Sequence, residues 1–267
     1  MYLQYFFCHL STGVWQNFDL GLFHWDHILF IILAAIALPL SLYLCRNISE
    51  KKLWRFFKIM AVILLVLEVV KIIIPLVQTG IFDPAEDLPL WLSSMFVFLF
   101  PVLAWGKGRV RRVAINSICA IFFFSGILTM FMPLILHYYR VFSFFGLHSL
   151  LYHWLMIFTA LILFIRGHVK IEWKSIWTIL IPFFIMGVIA LTVNWAFGWT
   201  GDYMFLTDGR HTPFAMFNGL PHPLFVVVVI LLHAGMFAVG ASFFCVLQTI
   251  RDKRRAKSVV TKSEQPA

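Results

Sequence analysis

Charged residues are scarce in this sequence of 267 residues, and their scarcity excludes an ordinary water-soluble domain. Only 12% of the residues are charged and 61% are hydrophobic, whereas soluble domains carry about 25% charged residues. The apolar runs also lack the alternation with polar residues that transmembrane strands require. The composition therefore predicts membrane-spanning helices, because a helix satisfies its own backbone hydrogen bonds in lipid.

Metal ligands and cysteine pairs are lacking as well. His24 and His27 are three residues apart beside Asp26, but no further Cys or clustered His completes a metal site. The cysteines form no Cys-x-x-Cys pair and predict no disulfide framework; they are Cys8, Cys45, Cys119 and Cys245. We expect no metal and no cofactor. The N-terminal stretch has no basic start or cleavage site, so we expect an interfacial segment rather than a signal peptide.

Apolar runs long enough to cross a bilayer, about 18 residues or more, recur along the chain. We predict spans at 27–45, 58–79, 88–105, 113–136, 148–165, 175–197 and 222–249. The expected fold is all-α, a polytopic bundle of about seven transmembrane helices. Residues 1–249 would form one transmembrane domain, and 250–267 a basic, disordered cytoplasmic tail. We find no internal repeat.

Lysine and arginine are distributed unequally between the two ends of these spans. Of the 21, 18 fall in alternate loops and in the tail; Arg140 and Arg210 fall on the other side, and Lys71 lies inside a span. The positive-inside rule then predicts an external N-terminus and a cytoplasmic C-terminus. We expect a multi-pass protein of the cell membrane. Its tail could bind anionic lipid headgroups, at about 1 kcal/mol per charge, and nothing indicates nucleic-acid binding.

A few polar residues interrupt the spans, and such residues usually face the bundle interior. Glu68 and Lys71 are three apart and share a helix face, which is compatible with a structural ion pair or with the wall of a substrate cavity. Ser93 lies near the outer end of span three. His148 begins span five, and His153 shares a face with Ser149, where it is either a core residue or a general base.

These polar residues converge at one depth. His27 lies near the outer end of span one, and Asn194, Asp202 and Tyr203 lie at or just beyond the outer end of span six. Together with Lys71, Ser93 and His153, they occupy the outer part of the predicted bundle. Scattered structural polar residues would not converge in this way, so the pattern predicts a pocket open to the outer leaflet.

At these segments the chain resembles the YwaF-like family of bacterial membrane proteins, which is related to transmembrane protein 164, an ether-phospholipid acyltransferase. The resemblance includes His27, the helix of Glu68, the His153 region and the segment from Asn194 to Pro213. The family motif Leu-Pro-Leu-His-Leu-Cys corresponds to Leu88-Pro89-Leu90-Trp91-Leu92-Ser93. Trp91 thus stands where the family has histidine, and Ser93 where it has cysteine. Asp202 stands where the family usually has asparagine before the tyrosine.

The resemblance implies acyl transfer or acyl hydrolysis on a membrane phospholipid. The family's cysteine and histidine pair corresponds here to Ser93 as nucleophile and His153 as base. We expect the substrate-binding residues to be His27, Glu68, Lys71, His148, Asn194, Asp202 and Tyr203. The alternative is a transporter or channel for a small polar solute or lipid, which would use Glu68, Lys71 and the histidines as pathway groups. It would need polar groups through the inner half of the bundle, where Asn116 and Ser117 are the main ones.

Overall fold

The structure, a computed structural model, describes residues 5–17, 22–85, 87–209 and 212–263, and these residues contain helices but no strand. The helices are α1 Trp25–Cys45, α2 Glu50–Thr79, α3 Met95–Trp105, α4 Gly108–Ser117, α5 Phe123–Phe131, α6 Phe144–Ile165, α7 Ile176–Ala196 and α8 His222–Ser263. A π-helical turn, Ile118–Phe122, joins α4 to α5. Arg210, which the charge pattern assigned to the outer side, lies outside the described residues.

Six helical segments in the described part of the chain are long and apolar enough to cross a membrane. The stretch Gly108–His137, which contains α4 and α5, counts as one of them. The prediction of an all-α, multi-pass bundle is confirmed. The third predicted span, 88–105, differs from the prediction: its helix begins only at Met95 and has 11 residues, which covers about 16 Å at 1.5 Å per residue.

Local sequence explains where the helices that carry the polar residues begin and end. The Ser49 side chain accepts a hydrogen bond from the Lys52 N–H at the start of α2, as N-cap serines do. The same helix ends at Gly80, whose φ of 70° lies in the left-handed region that favours glycine. At the start of α6, the Ser143 hydroxyl accepts from the Gly146 N–H at 3.0 Å.

The basic loops meet at one end of the bundle. Arg166, after α6, donates to the Arg46 carbonyl at 2.7 Å and pairs with Glu50 at the start of α2. Arg251, in α8, donates to the Phe164 carbonyl at 3.1 Å. At the opposite end, residues 5–17 pack on the end of α2 and the start of α6, where Gln78 donates to the Phe7 carbonyl. The alternation expected from the charges is present, and the assignment of the basic end to the cytoplasm stays a prediction from the positive-inside rule.

The last helix extends beyond its predicted span. It continues to Ser263, so most of the segment 250–267 that the sequence suggested was a disordered tail is helical. Its middle packs very closely on the π-helical turn. A Cβ at Gly240 would lie 2.0 Å from the Ala120 carbonyl oxygen, so only glycine permits this approach of the two backbones.

Candidate functional site

A charged cluster joins α2 to α6 in the interior of the bundle. The Glu68 side chain is only 8% exposed and pairs with Lys71 on the same helix, as the spacing of three predicted. Glu68 Oε2 also lies 3.8 Å from His148 Nε2. The His148 ring stacks between those of Phe144 and Tyr152, at centroid distances of 5.9 and 5.8 Å. Its Nε2 is buried without a hydrogen-bond partner in the described part of the chain.

Tyr152 connects this cluster to the turn that contains Ser93. Its hydroxyl donates to the Ser93 carbonyl at 3.0 Å, and its ring packs edge-on against Phe96, at 5.4 Å between centroids. Ser93 is half-buried and stands two residues before α3 begins. The Tyr152 contact therefore fixes the backbone of this turn against α6.

His153, the next residue on α6, is buried. Its Nδ1 lies 2.7 Å from the Ser149 carbonyl oxygen, and a carbonyl only accepts, so we assign the proton to Nδ1 and a free lone pair to Nε2. The expected relation to Ser149 thus uses its backbone and not its hydroxyl. No hydrogen bond joins His153 to Ser93 in this structure. Gly126 of α5 packs closely here, where a Cβ would lie 3.0 Å from the His153 carbonyl oxygen.

His27 is fully buried, and its ring joins two helices. Its Nδ1 accepts from the Phe23 N–H at 3.1 Å, so Nε2 carries the proton and donates to the Met130 carbonyl at 3.0 Å. Both ring nitrogens are therefore occupied by backbone groups. In this structure the ring connects α1 to the end of α5, and substrate binding by His27 stays a prediction.

Asn194, Asp202 and Tyr203 form a connected loop beyond α7. The Asn194 amide binds the Tyr203 backbone twice, accepting from its N–H and donating to its carbonyl, both at 3.1 Å. Asp202 Oδ1 accepts from the N–H groups of Thr207 and Asp208. Burial, together with the Asp208 charge, raises the pKa of Asp202 to about 6. These contacts show that all three residues hold the loop together, and their role as substrate ligands stays a prediction.

The same loop holds the segment that precedes Ser93. The Tyr203 hydroxyl accepts from the Leu88 N–H at 2.8 Å and donates to the Pro84 carbonyl at 3.0 Å. Its ring packs edge-on against Trp91, with centroids 5.6 Å apart. Non-helical backbone is tolerated at membrane depth where protein groups satisfy it. This explains why helix α3 begins late, and why Ser93 lies in a turn instead of a regular span.

Two features of this end were missed by sequence reasoning. Tyr152 was not singled out, although it lies four residues after His148 and hence on the same helix face. Arg140 was counted only as a loop charge, yet it is 5% exposed and its Nε lies 3.0 Å from Asp26 Oδ2. Asp26 also contacts His24, at 3.1 Å. This buried network connects the start of α1 to the segment before α6.

Comparison with known proteins identifies the family. The family model described as the TMEM164 family matches residues 21–258. The chain belongs to the TMEM164 family. The match extends from before α1 into the last third of α8, so it includes every residue of the cluster around Glu68, His148 and Ser93. The predicted relation to transmembrane protein 164 is confirmed, while the YwaF-like label stays a prediction. No curated protein and no solved structure matches the chain.

The described residues contain no group of three or more His, Cys, Asp or Glu side chains that could hold a metal ion. All four cysteines are free thiols. The cluster itself carries a serine hydroxyl, two histidines, a tyrosine and a partly buried carboxylate–ammonium pair.

Proposed function

We propose that this TMEM164-family protein transfers or hydrolyses an acyl chain of a membrane phospholipid, with Ser93 as nucleophile and His153 as general base. One observation carries the proposal. His153 presents an unprotonated Nε2 because its Nδ1 donates to Ser149, and its chain neighbour Tyr152 holds the Ser93 carbonyl. The proposed base and the proposed nucleophile thus lie on the two segments, α6 and the Ser93 turn, that the Tyr152 hydrogen bond joins.

The proposed first step forms one bond and breaks another. The Ser93 oxygen attacks the ester carbonyl carbon of the lipid, and its proton passes to His153 Nε2. The tetrahedral intermediate expels the glycerol oxygen, which takes the proton back from His153. The acyl group then rests on Ser93 as an ester, until a second lipid hydroxyl or water attacks it by the same route in reverse. In the resting geometry Ser93 and His153 are not hydrogen-bonded, and catalytic hydrogen bonds often tighten only when substrate binds.

The charged cluster has the chemistry to position a phospholipid. The Lys71 side chain is 23% exposed while that of its partner Glu68 is 8% exposed, so the ammonium is the more accessible end of the pair. We assign Lys71 to the headgroup phosphate and Glu68 to holding Lys71 in place. His148 Nε2, buried and without a hydrogen-bond partner among the described residues, is available to a lipid oxygen.

Asn194 and Tyr203 receive a different role from the one expected. Their polar side-chain atoms are occupied by loop backbone, so they are not available as oxyanion donors. We propose that they are positioning residues, which act on catalysis by fixing the chain that leads to Ser93.

The transporter alternative is weakened by the inner half of the bundle. Asn116 donates to the Lys170 carbonyl at 2.7 Å, and the Ser117 hydroxyl donates to the Ile179 carbonyl at 3.0 Å. Each side chain satisfies a backbone group at a helix or loop contact. A pathway for a polar solute needs polar side chains that are free to exchange partners.

The test is acyl turnover by the purified protein in vesicles of a phospholipid with a labelled acyl chain. Ser93→Ala and His153→Ala should each lower turnover by 100-fold or more, since general acid–base catalysis alone contributes about 10²–10⁴-fold. Ser93→Cys should retain activity because a thiol ionises more easily than an alcohol. Ser94→Ala is the matched control, since the Ser94 side chain makes no capping bond. Full turnover by Ser93→Ala would contradict the proposal.

A further inference from the structure

A second polar site lies at the other, basic end of the bundle. A cavity of about 290 Å³ opens between the start of α4 and the loop that follows α6. Its polar lining consists of Arg111, Arg112, His168 and Lys170, with Gly108 and Gly167 between them. Helix α6 separates it from the cluster around His148: the helix runs 17 residues from His148 to Ile165, or about 25 Å.

The charged side chains of the lining are all cationic. None of its residues is acidic, and Glu50, the carboxylate that contacts the lining residue His168, is already bound by neighbours. Glu50 accepts from Arg166 at 2.5 Å and from the Trp54 indole N–H at 3.1 Å, and its Oε2 lies 3.2 Å from His168 Nε2. Three permanently cationic side chains therefore face the cavity without a carboxylate among them.

Two of these residues are held in part before any ligand binds. The Lys170 backbone is held on both sides by the Asn116 amide, with its carbonyl at 2.7 Å and its N–H at 3.3 Å. The Arg111 guanidinium lies over the Trp54 ring, 4.3 Å from its centroid. Arg111 Nε is nevertheless buried without a hydrogen-bond partner in the described part of the chain. Charges that serve only the positive-inside rule need neither a concave arrangement nor a fixed backbone.

We propose that this cavity binds a phosphate group, either of a lipid headgroup or of a soluble phosphate. Arginine offers a planar fork of donors that matches phosphate oxygens, and lysine adds a point charge. Gly108 and Gly167 have no side chains that would fill the space beside these donors. The volume lies near the lower limit of small-molecule sites, about 300 Å³, which suits a phosphate with a small substituent and is too small for an acyl chain.

Two of the cationic residues are suited to a test because they are exposed. The variant combines Arg112→Gln with Lys170→Gln. The control combines Arg109→Gln with Lys174→Gln, which removes the same charge from the same two segments, also at exposed positions but outside the cavity lining. Two ligands are used: labelled inorganic phosphate, by equilibrium dialysis in phosphatidylcholine nanodiscs, and phosphatidic acid, by native mass spectrometry.

We expect the cavity variant to bind at least one of the two ligands about 30-fold more weakly, and the control to bind it as the wild type does. If the cavity variant loses binding only of phosphatidic acid, the site is assigned to lipid headgroups. If it loses binding only of inorganic phosphate, the site is assigned to a soluble anion. Equal losses in the two variants would overturn the proposal, as would wild-type protein that binds neither ligand, because the cations would then act only through net charge and topology.

Discussion

Removal of the Asn194 amide tests whether the loop beyond α7 holds the chain that leads to Ser93. Asn194 is 1% exposed and Tyr203 is fully buried, so Asn194→Ala removes two hydrogen bonds from a buried backbone. The Tyr203 carbonyl keeps a bond from the Leu206 N–H at 3.3 Å, so the main cost is at the Tyr203 N–H, and one buried group that loses its bond costs about 1–3 kcal/mol. The loss of stability should therefore be roughly 1–3 kcal/mol, or a fall in Tm of about 2 °C or more.

The assay is thermal unfolding of the purified protein in detergent, combined with amide hydrogen exchange in 201–209. Thr192→Val is the matched control: Thr192 is exposed and bonds only the Val188 carbonyl of its own helix, at 2.8 Å. The control should change Tm by less than about 1 °C. Faster exchange should appear in the loop of Asn194→Ala and extend to Leu88, whose N–H donates to Tyr203. A Tm and an exchange pattern equal to those of the wild type would refute the positioning role.

The remaining predictions concern packing and pH. Gly240→Ala places a Cβ 2.0 Å from the Ala120 carbonyl oxygen and should destabilise the protein by about 1–3 kcal/mol. Gly235→Ala on the same helix meets nothing within 4 Å and should stabilise it by up to about 1 kcal/mol. Thermal unfolding compares the two variants, and equal Tm values would contradict the close packing at Gly240. The pKa of Asp202 is raised from 3.8 to about 6, so the folded state retains a proton that the unfolded state has released, and stability should fall as pH rises from about 4 to 6. Asp202→Asn should flatten this part of the Tm-against-pH curve, and an unchanged slope would contradict the assignment.

Features that depend only on residues close together in one helix could be predicted from the sequence. The Glu68–Lys71 pair follows from a spacing of three on a single helix, and hydropathy was sufficient for six long apolar helices. Hydropathy could not locate the start of α3, because Leu88 to Leu92 are as apolar as a span. The Leu88 N–H in this stretch binds the Tyr203 hydroxyl, which lies more than 100 residues further along the chain.

For the polar residues, burial could be predicted from the sequence, whereas the bonding partners could not. That Asn194 and His27 are buried could be inferred from their place in apolar helices. What they bind could not, because the Tyr203 backbone and the Met130 carbonyl carry no signal in the sequence of either partner. For Arg140 even the burial could not be predicted, because a charged residue in a short loop is expected to be exposed to solvent. Only the fold brings Asp26 next to it.

The most direct measurement is the mass of the peptide that contains Ser93 after the protein has reacted briefly with a labelled phospholipid and been quenched in acid. We predict an added acyl group on Ser93, absent from Ser93→Ala and retained in Ser94→Ala. Turnover of the lipid without an acyl group on Ser93, or with the group on another residue, would contradict it.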